Sequence, residues 1–127
     1  MTCHNRREQS VSCLERLQSQ TVQADIEVFL VDDGSNDGTT DAIRKRFPST
    51  HLLHGDGSLY WAGGMRMAME AAIPGRFDFY LWLNDDTKLY PDAIARLLQA
   101  HEALVSRGEK PAIVVGSICD PESGDLT

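Results

Sequence analysis

Two apolar runs in this chain each end in a pair of carboxylates. Ile26 to Val31 leads into Asp32-Asp33-Gly34-Ser35, and Phe77 to Leu83 leads into Asn84-Asp85-Asp86-Thr87. Two such charges about 4 Å apart repel by roughly 4 kcal/mol at an effective dielectric near 20, so each pair needs a compensating cation or hydrogen-bond donor. A metal, and something the metal holds, would supply it. In open α/β sheets ligands bind beyond the carboxyl ends of the strands, which is where both pairs fall if the two runs are parallel neighbours.

The elements that would carry these residues alternate along the chain. Asn5 with Glu8 three residues later forms a capping-box pattern, and Val11, Leu14 and Leu17 share one helical face, which predicts a helix over about Arg7 to Gln20. Ile26 to Val31 reads as a strand, and Ile43 and Phe47 mark a helix of about two turns that begins near Asn36 to Thr39 and is closed by Pro48. A short strand over His51 to His54 precedes the loop Gly55-Asp56-Gly57-Ser58. Met65, Ala68, Met69 and Ala72 predict a helix opening near Gly63-Gly64 and stopped by Pro74-Gly75. Phe77 to Leu83 is the next strand. Pro91 suits the first position of a helix that runs through Ile94, Leu97, Leu98, His101 and Leu104 towards Gly108. Ile113 to Ile118 is the last strand, followed by a turn at Asp120-Pro121. Such alternation predicts one mostly parallel α/β sheet with helices on both faces.

Both ends look cut. Met1-Thr2-Cys3 is at most the tail of a strand that should pair beside Ile26 to Val31, which would leave an exposed sheet edge open to self-association. The chain is accordingly read as residues 1–127 of one larger domain, its N-terminal half.

Composition narrows the function classes. The 127 residues are 42% hydrophobic, enough for one core, and 12 basic against 19 acidic residues give a formal charge of −7. That balance opposes general binding to nucleic acid or to an anionic membrane. Cys3, Cys13 and Cys119 are odd in number and match no zinc spacing, so they read as reduced thiols of a cytoplasmic protein. No apolar run approaches the ~20 residues of a membrane span, and Met1 to Arg7 lacks the apolar core of a signal peptide. The expected place is the cytoplasm, the inner face of the membrane included.

Thr2-Cys3-His4-Asn5-Arg6, VDDGSNDGT from Val31 to Thr39, GDGSLYWAGGMR from Gly55 to Arg66 and LWLNDDT from Leu81 to Thr87 occur in that order. Together they resemble the inverting family 2 glycosyltransferases of the Rossmann-like GT-A fold, and most closely the bacterial branch with rhamnosyltransferase-like enzymes. The resemblance implies a nucleotide-diphosphate sugar as donor, a saccharide, lipid-linked glycan or protein as acceptor, and Mg2+ or Mn2+ as cofactor. It also implies transfer to an acceptor hydroxyl with inversion, in polysaccharide biosynthesis. The catalytic base would lie C-terminal to these residues, so the chain alone is expected to be inactive.

On the same pattern His4 takes the place of an aromatic beside the base, with Thr2 at the same strand end. Asp33 is the base-reading acceptor, and Asp32 either meets the ribose or orients the turn. Asp86 is the metal ligand, while Asp85 holds ribose or pyrophosphate oxygens, directly or through water; which acid makes the shorter metal contact stays open. Arg66, in the first turn of a helix opening at Gly63-Gly64, would meet the pyrophosphate, unless it is a solvated surface arginine. Tyr60 and Trp61 line the sugar pocket or pack in the core. Trp82 alternates with Leu81 and Leu83 and reads as core.

Other classes fit less well. Asp33, Ser35, Asp37 and Gly38 match the first ligand positions of an EF-hand loop, but the position that must supply a bidentate Glu is Arg44. A phosphoacceptor receiver domain needs a Lys after a later strand, whereas Lys110-Pro111 comes before Ile113 to Ile118. A nucleotide-binding module without chemistry remains the alternative to an enzyme.

Overall fold

Strand β2 (Phe29–Asp33) is the centre of a parallel three-stranded sheet, flanked by β1 (Thr2–Cys3) and β3 (His51–Gly55) in the order β1-β2-β3. The computed structural model describes residues 1–110, 112–120 and 123–125. The helices are α1 (Arg7–Gln18), α2 (Thr39–Arg46), α3 (Tyr60–Ala72), continued by a 3-10 turn over Ile73–Gly75, and α4 (Ala93–Ser106). They form two units. The first comprises residues 1–18 and 24–89, and the second comprises residues 19–23 and 90–127.

In the first unit Leu30, Val31, Asp32 and Asp33 are all buried in succession. Since neighbouring strand residues point to opposite faces, both faces of β2 must be covered. Helices α1 and α2 follow crossovers running in one direction across the sheet, and the right-handed rule puts them on the same face. Helix α3 packs on β1 and β2. Leu14, Leu30, Val31 and Ile43 form the centre of the core. The second unit holds α4. There Gln20 Oε1 accepts the Ile94 N–H at 3.0 Å and Thr21 N donates to the Pro91 carbonyl at 2.9 Å, tying the 19–23 segment to the start of the helix.

Several sequence expectations are corrected. The predicted Ile26–Val31 strand forms over Phe29–Asp33 instead, with Ile26 largely exposed. Its flank is also not bare, because β1 pairs Thr2 with Val31 and Cys3 with Asp32, and the Met1 carbonyl accepts the Val31 N–H at 3.1 Å. Phe77–Leu83 forms no strand. A strand on the far side of β1 would find only two residues of ladder, too little edge to satisfy its backbone groups. Ile113–Ile118 forms none either: Ile113, Val115 and Ile118 are exposed. An apolar run becomes a strand only beside a partner. The expected turn after it is seen at Asp120, whose carbonyl accepts the Gly124 N–H at 2.9 Å; Pro111 and Pro121 lie outside the described residues.

Helix ends differ too. Asn5 has φ 50°, outside the extended region an N-cap needs, and Asp37 caps α1 by accepting the Arg7 N–H at 3.0 Å. Helix α4 starts at Ala93 with Asp92 as N-cap, two residues past Pro91. Among the described residues no helix is long and apolar enough to cross a membrane.

Candidate functional site

The carboxyl ends of β1 and β2 bring together three of the four sequence motifs, and α3 adds the fourth. Asp32 and Asp33 are adjacent on β2, so their side chains leave opposite faces. On one face Asp32 Oδ1 accepts the Ser35 N–H at 2.9 Å and Oδ2 accepts the Thr40 hydroxyl at the start of α2. On the other, Asp33 Oδ1 accepts the Gly57 N–H at 2.8 Å, and Oδ2 accepts the Leu59 and Tyr60 N–H groups at 3.0 Å each. The two acids, 1% and 3% exposed, thus fasten helices on either side of the sheet. Backbone and hydroxyl donors, not a cation, compensate this pair, and the expected like-charge clustering does not arise.

Asp33 is a cap reached across the chain, and it decides where α3 begins. Its grip on Leu59 and Tyr60 opens the helix at Tyr60 rather than at Gly63-Gly64, with Tyr60 held at φ 52°. Close backbone packing supports the grip: a Cβ on Gly55 would overlap Asp33 Oδ1, and one on Gly34, at φ 72°, would lie 2.9 Å from Gly57 N. Arg66 therefore sits in the second turn of α3, not the first. Its Nη1 donates to Glu70 at 3.1 Å on an exposed face.

Thr2 is buried under α3 where Gly64 has no side chain; a Cβ there would overlap the Thr2 hydroxyl. His4 stands exposed at the strand end. Its Nδ1 lies 2.5 Å from the Asp33 carbonyl oxygen, so that nitrogen carries the proton and donates, and Nε2 accepts from Asn5 Nδ2 at 3.0 Å. Both ring nitrogens are thereby fixed.

The second acidic pair is compensated by a cation from the chain itself. Arg6 Nη1 lies 2.9 Å from Asp86 Oδ2 and 3.4 Å from Asp85 Oδ1. Ser10, fully buried on α1, donates its hydroxyl to Asp85 Oδ2 at 3.2 Å. Burial raises the Asp85 pKa from its ordinary value despite the lowering by Arg6 and Ser10, and the Asp85 and Asp86 charges raise that of Arg6. Cys3 lies near both acidic pairs: burial first, then the charges of Asp32 and Asp85, push its thiol up to about 12.

Aromatic residues close the same edge. Trp61 Nε1 donates to Asn84 Oδ1 at 2.9 Å and meets Trp82 edge to face at 6.1 Å between ring centres. Trp82 is 58% exposed, which corrects its expected place in the core; without a strand over Phe77–Leu83 no alternation turns it inward. Tyr60 is exposed as well.

Sequence reading missed Arg6, Ser10 and Asp37. Arg6 carried a signal, since it ends the first motif beside a strand end and the acidic pairs required a cation. Asp37 lay within the second motif, and Ser10 carried no signal beyond its type.

Asp85 and Asp86 are hard oxygen donors of the kind Mg2+ and Mn2+ take. Ser10 holds the first while the second is half-exposed. Among the described residues no group of three or more His, Cys, Asp or Glu side chains converges. A cation held by this pair would need its other ligands from a bound molecule or water.

The family model described as Glycosyl transferase family 2 matches residues 1–123, a span that holds β1, β2, β3 and both acidic pairs. Neither a curated protein nor a solved structure matches the chain. With its parallel sheet covered on both faces and its acidic motifs at the carboxyl edge, the α/β fold is the Rossmann-like one that nucleotide-sugar transfer uses, and the chain belongs to glycosyl transferase family 2.

Proposed function

We propose that this chain supplies the donor-binding half of a metal-dependent, inverting glycosyltransferase of the rhamnosyltransferase-like kind, acting in polysaccharide biosynthesis in the cytoplasm or at the inner face of the membrane. One observation carries the reading: Arg6 and Ser10 hold the Asp85-Asp86 turn where the chain leaves the carboxyl end of β1, and His4 in the same segment bonds the Asp33 carbonyl at the end of β2. That edge is where open α/β sheets hold their ligands.

Asp85 and Asp86 would hold Mg2+ or Mn2+, Asp86 as the first ligand and Asp85 also towards ribose or pyrophosphate oxygens. The cation, when bound, offsets the charge that develops on the leaving diphosphate. His4, its tautomer set by Asp33 and Asn5, offers a ring face to the nucleotide base. Asp33 has used three of about four acceptor positions on its backbone partners, leaving one for a base N–H. Asp32 and Thr2 hold the strand ends in place, and Trp61 and Tyr60 border the sugar. Arg66 reaches the diphosphate only by leaving Glu70. The reaction is a single displacement: the acceptor hydroxyl attacks the anomeric carbon, a carboxylate base takes its proton, and the bond to the diphosphate breaks. No residue of this chain is assigned as that base.

Calorimetric titration of a nucleoside diphosphate, with and without Mn2+, tests this. We expect at least tenfold tighter binding with Mn2+ and loss of that gain in Asp86→Ala, with an unchanged unfolding midpoint. Equal affinity in the two conditions refutes the metal dependence, and no binding in either refutes the nucleotide site.

A further inference from the structure

We propose that the Arg6 guanidinium is the resident counter-ion of Asp85 and Asp86, which a divalent cation must displace, so that Arg6 sets the metal affinity of this edge. The inference rests on reading the pair as a metal site.

A single nitrogen, Nη1, reaches one oxygen of each carboxylate, at 3.4 Å on Asp85 and 2.9 Å on Asp86. A divalent ion held by this pair would draw on the same two carboxylates. The two cations exclude each other there, and a guanidinium cannot shed its proton to relieve the conflict. One partner must move.

The structure points to the arginine. Its side chain is 49% exposed against 7% for Asp85, whose other oxygen stays bonded to Ser10. The Arg6 backbone is also anchored, because its carbonyl accepts the Ser10 N–H at 2.9 Å in the first turn of α1. Release therefore needs only rotation of a solvated stem, while Asp85 keeps its place. Exchange replaces one positive charge on the pair by two and frees the guanidinium beside the site. A molecule with negative charge would then meet it.

The test uses Mn2+ alone, with no nucleotide, titrated into the full chain and followed by the spin-resonance signal of free Mn2+. Arg6→Met should bind Mn2+ at least fivefold more tightly than the unaltered chain, and Arg6→Lys should shift in the same direction by less. Adding Asp86→Asn to Arg6→Met should cancel the gain. Urea unfolding establishes that each variant folds; if Arg6→Met does not, Arg6→Lys decides alone. Equal or weaker binding in the folded Arg6 variants, a gain that survives Asp86→Asn, or no Mn2+ binding in any form overturns the inference. A gain without any nucleoside diphosphate binding would uphold it and sink the transferase reading, whereas metal-assisted nucleotide binding with no Arg6 effect would sink it alone.

Discussion

Asp33→Asn separates a structural clasp from a ligand-reading acid. The carboxylate accepts three backbone N–H groups, from Gly57 at 2.8 Å and from Leu59 and Tyr60 at 3.0 Å, and it is 3% exposed. An amide has one acceptor oxygen. In its best orientation that oxygen keeps Leu59 and Tyr60, and the NH2 group faces the Gly57 N–H, donor against donor. The lost bond to a charged acceptor costs about 1.5–3 kcal/mol, and turning the other two from charged to neutral costs about 1 kcal/mol each. The sum, about 3.5–5 kcal/mol, is a large share of the roughly 5–15 kcal/mol that stabilises a typical domain. Urea unfolding should show the drop, and amide exchange at Gly57, Leu59 and Tyr60 should accelerate. A loss below about 1 kcal/mol with all three amides still protected would refute the clasp and leave Asp33 free to serve a ligand first.

Gly64→Ala should destabilise the chain by about 1–2 kcal/mol, because overpacking against Thr2, whose Cβ would lie 2.6 Å away, outweighs the gain of about 1 kcal/mol in helix propensity. A raised unfolding midpoint would show that α3 does not press on β1 there. Cys3 and Cys13 are 4% and 1% exposed, and burial raises their thiols from 9.0 to about 12 and about 11. At pH 8 a disulfide reagent should therefore find ~10³-fold less thiolate on Cys3 and ~10²-fold less on Cys13 than on an ordinary thiol. One fast-reacting group, Cys119, is expected before denaturation, and three fast groups would contradict this. The raised Asp85 pKa means the folded chain binds that proton more tightly than the unfolded one, so its contribution is complete below the unfolded value and is lost as pH rises through the folded value. Comparing pH-dependent stability with that of Asp85→Asn isolates it. The unaltered chain should lose stability relative to the variant as pH rises above about 4, and parallel curves would exclude the effect.

Periodicity and punctuation made much of the fold legible in the chain: Val11, Leu14 and Leu17 on one face of α1, Pro48 after α2, and β3 at His51. Each is a local signal read within a few residues. The four motifs and their order likewise sufficed for the family, because a site's residue types survive in the chain whatever partners they find. Non-local partners escaped that reading. Phe77–Leu83 and Ile113–Ile118 look like strands to their neighbours in sequence, yet a strand also needs a ladder to another backbone, and among the described residues neither run is assigned as a strand. The carboxylates show the same division. Their repulsion demanded compensation, and the types of the residues could not say whose. Asp33 meets N–H groups 24 to 27 residues away, and Arg6 meets Asp85 and Asp86 across 79 and 80 residues. Folding the sheet chose backbone donors for one pair and a guanidinium for the other, since distance in space, not in sequence, sets an electrostatic interaction.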